Sequence, residues 1–116
     1  MSTLAVNNIT PANPGSEKYF LAKAWVNFNG TGTVAIRASG NVSSITDEGV
    51  ARYVVNFTAA MSDTNYVALS NTSGGGNYIL TQNSNGTVTA PSTSSINIWS
   101  VGVVADPVYA NLAFFR

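Results

Sequence analysis

The sequence contains no cysteine and no histidine. Without cysteine there is no disulfide, no thiolate nucleophile and no soft-metal site. Without histidine the chain lacks the commonest general base and the commonest metal ligand. No apolar run approaches the roughly 18 residues of a membrane span, and residues 1–4 lack the charged and apolar regions that open a signal peptide. We therefore expect no cofactor or metal, no membrane insertion and no enzymatic activity.

Charge is also scarce, because only 9% of the residues carry one, and five basic residues balance five acidic ones. An average soluble domain has roughly 25% charged residues. Five scattered cations cannot form the basic stripe that nucleic acid requires, so nucleic acid is excluded as a partner. Polar character comes instead from 14 Asn, 13 Ser and 12 Thr. Apolar residues make up 45% of the 116-residue chain, which is enough for one core.

Residues 1–18 show no sustained periodicity and include several Asn, Pro and Gly. Pro11 and Pro14 bias the residues before them away from helix. We interpret this segment as an extended N-terminal arm that packs along a neighbouring subunit or another partner, with anchor points at Leu4, Val6 and Ile9. Residues 19–116 are predicted to form a single domain.

From residue 19 onward, apolar and polar residues alternate, as is typical of half-buried strands. The alternation is clearest in Phe20–Phe28 and around Tyr53, Val55 and Phe57. Turn signals such as Asn29-Gly30 recur about every eight to twelve residues, and no window has the period of an amphipathic helix. The sequence therefore predicts an all-β fold, an antiparallel β-sandwich or small barrel, jelly-roll-like, of about seven to nine short strands.

The few carboxylates favour turns over catalysis. Asp47 and Glu48 are neighbours, whereas the two carboxylates of a glycosidase flank a bond from positions about 5–9 Å apart. Asp63 and Asp106 are interpreted as turn formers. A calcium site built from Asp47, Asp63 and amide or backbone oxygens stays open, although no Asp-rich loop supports it. The run of glycines at 74–76 lacks the Lys-Ser/Thr of a phosphate loop and is interpreted as a loop tip.

Two tryptophans, and strands that are apolar on both faces, indicate a subunit interface. Trp25 and Trp99 either fill a core or a subunit interface, or stack on sugar rings; we favour the first because burying an indole contributes a few kcal/mol. The strands near residues 20–28 and 109–115 carry apolar residues on both faces, which indicates that a second subunit covers one face. The candidate subunit-interface residues are Leu21, Trp25, Trp99, Leu112 and Phe114.

Several blocks of the chain carry a resemblance to a known family. They are Lys23-Ala24-Trp25-Val26-Asn27-Phe28-Asn29-Gly30-Thr31-Gly32-Thr33-Val34-Ala35-Ile36-Arg37, then Asn41–Asp47, then Tyr53–Thr58 followed by Met61, Asp63, Asn65 and Tyr66, and finally Leu112–Arg116. Together they closely resemble a domain common at the ends of bacteriophage tail fibres, especially in phages of marine bacteria and cyanobacteria. The blocks bracket residues 23–116, and the stretch from about residue 67 to 108 carries no quotable match.

The resemblance implies a virion protein of all-β fold that is trimeric and not an enzyme. Two features depart from the pattern. Residues 48–52 replace a turn that is usually richer in Asn and Gly, and only the arm stands where long fibres have a shaft. We therefore expect a separate fibre tip, a short spike or a capsid decoration protein on the exterior of the tail or capsid.

The sequence thus predicts a bacteriophage virion surface protein, an oligomeric tail-fibre or spike module for host attachment. Its expected partners are further copies of itself, other virion proteins bound through the arm, and a host-surface glycan or protein. The alternatives are a capsid decoration (cement) protein that binds the major capsid protein, and a carbohydrate-binding module. Candidate receptor contacts lie in loops at residues 71–77, 83–86 and 91–95, namely Asn71, Gly74, Gly75, Gly76, Asn77, Asn83, Asn85 and Ser92.

Overall fold

The computed structural model describes residues 3, 5, 21–73, 78–80, 89–100 and 105–116. These residues form two four-stranded antiparallel sheets, which confirms the predicted all-β antiparallel β-sandwich. No helix among them is long and apolar enough to cross a membrane. The strands are β1 (Ala22–Asn29), β2 (Ala35–Gly40), β3 (Val42–Gly49), β4 (Arg52–Phe57), β5 (Val67–Thr72), β6 (Tyr78–Leu80), β7 (Ser95–Ser100) and β8 (Ala110–Phe115).

We call the sheet with strand order β2-β1-β8-β5 sheet 1, and the sheet with order β3-β4-β7-β6 sheet 2. In sheet 1 the first and last strands of the domain, β1 and β8, pair at the centre. In sheet 2 the hairpin β3–β4 joins the hairpin β6–β7 through the pairing of β4 with β7. Leu4, Val6 and Ile9, the anchor points predicted for the arm, lie outside the described residues.

The core lies between the sheets, where alternate residues of each strand point inward. Phe57 makes edge-to-face contacts with Phe114 and Tyr66, at centroid distances of 5.1 and 5.7 Å; such pairs add about 0.5–1.5 kcal/mol beyond their buried area. Burial raises the pKa of Tyr66 to about 12, and its hydroxyl donates to the carbonyl of Ser92 at 2.9 Å. The strand residues of the core are Ala24, Val26, Phe28, Val42, Tyr53, Val55, Phe57, Ile96, Ile98, Ala110, Leu112 and Phe114.

Two of these core residues were predicted from the sequence to lie at a subunit interface. Leu112 and Phe114 are only 4% and 0% exposed within this single chain, so the prediction that they lie at a subunit interface is wrong. The physical reason is the two-residue period of β8, which turns Leu112 and Phe114 toward the core and Asn111, Ala113 and Phe115 away from it. Both faces of this strand carry apolar side chains, so composition alone gives no sign of which face is buried.

A polar cluster joins the two sheets at one end of the sandwich. The Tyr53 hydroxyl on β4 lies 2.7 Å from Oδ1 of Asp106 and 3.2 Å from the carbonyl of Gly30, which directly follows β1. The same Asp106 oxygen accepts the N–H of Ala51 at 2.8 Å. A side chain at residue 30 would meet the Tyr53 hydroxyl and lie 3.0 Å from Pro107 Cδ. Asp106 therefore links distant segments, a role beyond the turn former that its neighbours suggested.

Candidate functional site

The outer face of sheet 1 carries two rows of side chains that run across β1, β8 and β5. In the first row, Ala113 of β8 is in register with Trp25 of β1 and with Leu69 of β5. We call these three residues the apolar row. In the second row, Asn111 of β8 is in register with Asn27 on one side and Asn71 on the other. We call these three the amide row. Two adjacent rows of opposite chemistry thus cover the middle of one sheet face.

A shallow groove of about 370 Å³ lies over these rows, at the lower end of the range for small-molecule sites. Its walls are the large side chains Trp25 and Leu69, which are 44% and 59% exposed. Its floor is low because Ala113 is the in-register residue between them. The residues lining the groove are Trp25, Val26, Asn27, Leu69, Ser70, Asn71, Asn111, Leu112 and Ala113. None of these carries a charge, so the groove is neutral.

The amide row is partly fixed by hydrogen bonds within the sheet. Asn111 Nδ2 donates to Asn71 Oδ1 at 2.8 Å, and Arg37 Nη1 donates to Asn27 Oδ1 at 3.2 Å. Arg37 is itself held, because Nη2 donates to the carbonyl of Val108 at 2.7 Å and the guanidinium lies 4.1 Å from the centroid of the Tyr109 ring. The amides are therefore oriented, while each retains further hydrogen-bonding capacity.

The position of Trp25 depends on a glycine in the neighbouring strand. Gly40 of β2 is in register with Trp25, and a Cβ at residue 40 would contact Nε1 of the indole and lie 2.9 Å from its Cδ1. The indole therefore lies over the backbone of residue 40, leans away from β8 and leaves room above Ala113. Gly40 has an ordinary negative φ, so its role here is close approach and not backbone strain.

A third group of apolar side chains lies at one end of sheet 1. Phe115 of β8 is in register with Ala22 of β1 and Val67 of β5, and Leu21 directly precedes β1. Leu21 and Val67 are 55% and 57% exposed, while Phe115 is half-buried. We call Leu21, Val67 and Phe115 the apolar end. Exposure of these apolar side chains to water is unfavourable, and burying them against another surface would lower the free energy.

Sheet 2 presents a different outer face. Asn56 of β4 donates through Nδ2 to Ser44 Oγ at 3.1 Å and to Thr46 Oγ1 at 3.0 Å, so its amide is used within the β3–β4 hairpin. Trp99 of β7 is half-buried and lies opposite Arg52. Trp99, the other predicted interface tryptophan, is thus on the opposite side of the sandwich from Trp25, and the structure does not bring the two together.

Asp47, Asp63 and Asp106 have structural partners among the described residues. Asp47 Oδ1 accepts the N–H of Gly49 at 3.0 Å. Asp63 accepts from Arg116 Nε at 2.7 Å and from the N–H of Asn65 at 2.8 Å. The Arg116 guanidinium and then the Asn65 N–H lower the pKa of Asp63 to about 2. No group of three or more acidic side chains within the described part of the chain could hold a metal ion, which gives the open calcium site no support there.

The predicted receptor-contact residues divide into three cases. Asn71 is not in a loop as predicted, because β5 extends to Thr72 and places Asn71 in the amide row. Ser92 is in a turn, where its Oγ accepts the N–H of Ser95 at 2.9 Å. The remaining predicted contacts lie outside the described residues: Gly74, Gly75, Gly76, Asn77, Asn83 and Asn85.

Sequence reasoning did not select Asn27, Asn111 or Leu69, which line the groove. Each of them alternates with buried or half-buried neighbours, so its outward direction was readable from the two-residue period. What was missing was the register, since Asn27, Asn71 and Asn111 come from three separate parts of the chain.

Comparisons with protein-family models, curated proteins and solved structures find no match. What the groove can do follows from its own chemistry. It has one aromatic wall, one aliphatic wall and a row of oriented amides, with no charged side chain among its lining residues. Such a site is suited to binding a neutral ligand.

Proposed function

We propose that this chain is a bacteriophage virion surface protein of the tail-fibre type, which forms a homo-oligomer and attaches the particle to its host. The resemblance of residues 23–66 and of the C-terminal residues to the tail-fibre domain supports the virion setting. The β-sandwich is compatible with that role, because its charge-poor surface of Asn, Ser and Thr keeps it hydrated by amides and hydroxyls.

The observation that carries the proposal is the difference between the two outer faces. Sheet 1 exposes the apolar end and the groove walls Trp25 and Leu69. On the described outer face of sheet 2, the apolar side chains of Val54 and Trp99 are half-buried, and Asn56 bonds to Ser44 and Thr46. A protein with one such apolar face is suited to assembly or binding through that face. We assign the apolar end to contact between copies, because Val67 and Phe115 are in register on neighbouring strands and Leu21 is exposed at the start of β1. None of the three has a polar side chain to satisfy.

The use of the carboxylates supports a non-catalytic role. Asp47 caps a local turn, Asp63 pairs with Arg116, and Asp106 joins Tyr53 to Ala51. Each of these three carboxylates therefore holds a turn or joins two segments of the fold.

The solution mass of the purified protein, measured by light scattering, tests the assembly part of the proposal. We expect a trimer of three chains of 12.1 kDa each. Val67→Lys should lower the measured mass because it places a charge in the apolar end. Val54→Lys is the matched control, since Val54 is in register with Thr46 and Asn97 on the outer face of sheet 2. A monomeric wild-type protein at every concentration, or equal effects of the two variants, would contradict the assembly assignment.

The attachment part is tested with phage particles. An excess of the purified protein should slow adsorption of the phage that encodes it, because both compete for the same host receptors. Unchanged adsorption, together with a copy number per virion close to that of the major capsid subunit, would overturn attachment in favour of the cement alternative.

A further inference from the structure

We infer that the groove between Trp25 and Leu69 on sheet 1 is a binding site for a neutral sugar ring. The inference deepens the proposed attachment function by naming the ligand class, and it rests on that function for its biological setting. The site itself is defined by the aromatic ring, the amides and the lack of charge among its lining residues.

The amide row supplies the polar half of the recognition. Asn111 Nδ2 is engaged by Asn71 Oδ1, which leaves Asn111 Oδ1 as an acceptor without a hydrogen-bond partner among the described residues. On the same criterion, Nδ2 of Asn71 and Nδ2 of Asn27 are donors without a partner. A strip that offers both donors and acceptors in fixed orientations matches hydroxyl groups, each of which donates one hydrogen bond and accepts others.

The apolar row supplies the other half. Trp25 lies over the backbone of Gly40 on one side and remains 44% exposed, so an aromatic surface is available beside the floor formed by Ala113. The C–H groups of a pyranose ring carry a partial positive charge and are attracted to the negative face of an indole. Leu69 forms the opposite wall and would remove further C–H surface from water.

The charge and size of the groove narrow the ligand class. No lining residue is charged, and the nearby Arg37 is already engaged by Asn27, Val108 and the Tyr109 ring. The groove therefore offers no free cation to bind an anionic ligand and no carboxylate to bind a cationic ligand. A volume of about 370 Å³ accommodates one or two sugar rings but not a folded peptide segment, and the site is open enough for the chain of a longer glycan to continue into solvent.

The test is a titration of the full-length protein with three probes, methyl glucoside, methyl mannoside and methyl galactoside, and with their neutral oligosaccharides. Tryptophan fluorescence is the readout, in a Trp99→Phe background so that Trp25 is the only reporter. We expect a saturable shift for at least one probe. Trp25→Ala in the Trp99-containing protein should weaken the binding measured by calorimetry about tenfold or more, as loss of aromatic stacking does.

Two further variants and one control distinguish a local effect on the groove from a general effect on the protein. Asn111→Ala should weaken binding, whereas Asn56→Ala, the same change on sheet 2, should not. Gly40→Ala keeps the indole but displaces it, so it should also weaken binding while circular dichroism shows an unchanged β-sheet spectrum. Equal affinities for Asn111→Ala and Asn56→Ala would overturn the assignment of the amide row.

The remaining outcomes distinguish this inference from the proposed function. No saturable shift with any probe up to about 20 mM would overturn the sugar site, and a trimer that still competes with phage adsorption would leave the proposed function standing. A Trp25 fluorescence shift that depends on protein concentration and not on sugar would also overturn the site, because it would show that a second copy covers the groove. A monomer that binds sugar but does not affect adsorption would support the site and contradict the proposed function.

Discussion

The outer faces of sheet 1 and sheet 2 use the same residue type in opposite ways. On sheet 2, Asn56 donates to Ser44 and Thr46 of the adjacent strand, so its amide stabilises the hairpin. On sheet 1, Asn27, Asn71 and Asn111 lie side by side. Their bonds leave Nδ2 of Asn27, Nδ2 of Asn71 and Oδ1 of Asn111 without a partner among the described residues. The role of an asparagine in this protein is therefore set by its cross-strand neighbours.

The two tryptophans give the same lesson. Trp25 lies opposite Gly40 and Ala113, which are too small to cover it, whereas Trp99 lies opposite Arg52 and is half-buried. A large side chain beside small neighbours leaves a groove between them. The groove on sheet 1 therefore depends on the small neighbours of Trp25.

The largest expected effect tests the distinction between the inner and outer faces of β8. Phe114→Ala should lower the free energy of unfolding by about 3–5 kcal/mol, because it leaves a cavity beside Phe57 and Tyr66. Phe115→Ala, at the adjacent outward position, should cost about 1 kcal/mol or less. Urea denaturation of both variants measures the difference. If Phe114→Ala does not fold, the milder Phe114→Leu still ranks the two positions, and a greater loss at Phe115 would contradict the assigned faces.

A smaller effect tests the polar cluster that joins the sheets. Tyr53→Phe removes the hydroxyl that lies 2.7 Å from Asp106 and 3.2 Å from the Gly30 carbonyl. We expect a loss of about 1–3 kcal/mol in unfolding free energy, since a buried acceptor loses its donor. Tyr109→Phe is the control, because the Tyr109 ring is exposed beside Arg37. Equal stabilities of the two variants would show that the cluster does not hold the sheets together.

The next prediction compares the two kinds of asparagine directly. Asn56→Ala should cost about 1 kcal/mol of stability, because two hydrogen bonds across the β3–β4 hairpin are lost. Asn71→Ala should cost less, since it loses a single exposed bond to Asn111. Thermal unfolding of both variants measures this. A larger loss for Asn71 would mean that the amide row stabilises the fold, and would erase the contrast between the faces.

The smallest effect concerns acid stability at the edge of sheet 1, where Arg116 holds Asp63. The pKa of Asp63 falls from 3.8 to about 2 on folding, so this contribution is present above about pH 4 and is lost as the pH falls through about 2. Arg116→Ala should raise the pKa of the Asp63 carboxyl, as measured by NMR titration. The variant should be less stable than the wild type above about pH 4, and the difference in stability should shrink as the pH falls toward 2. Arg52→Ala on sheet 2 is the control, since Arg52 has no ion pair within the described residues. An unchanged Asp63 pKa in Arg116→Ala would rule out this coupling.

Much of the fold was readable from the sequence. The alternation in β1 places Val26 and Phe28 on one face of that strand, and the alternation in β4 does the same for Tyr53 and Val55. All four residues are buried. Tyr66 directly precedes β5 and packs against Phe57 in the core. In β8 the prediction failed, since Leu112 and Phe114 have apolar neighbours on the opposite face and the period gives no preference between the two sides.

The sequence by itself determined the class of the fold and the neutrality of its surface, because a two-residue period and a scarcity of charge are properties of neighbouring residues and of composition. Only the tertiary structure decided which face is core and which side chains form the groove. Asn27 and Asn111 lie near opposite ends of the domain, and they meet because the first and last strands pair at the centre of sheet 1. Such pairing depends on how whole strands pack and align, which no local pattern encodes.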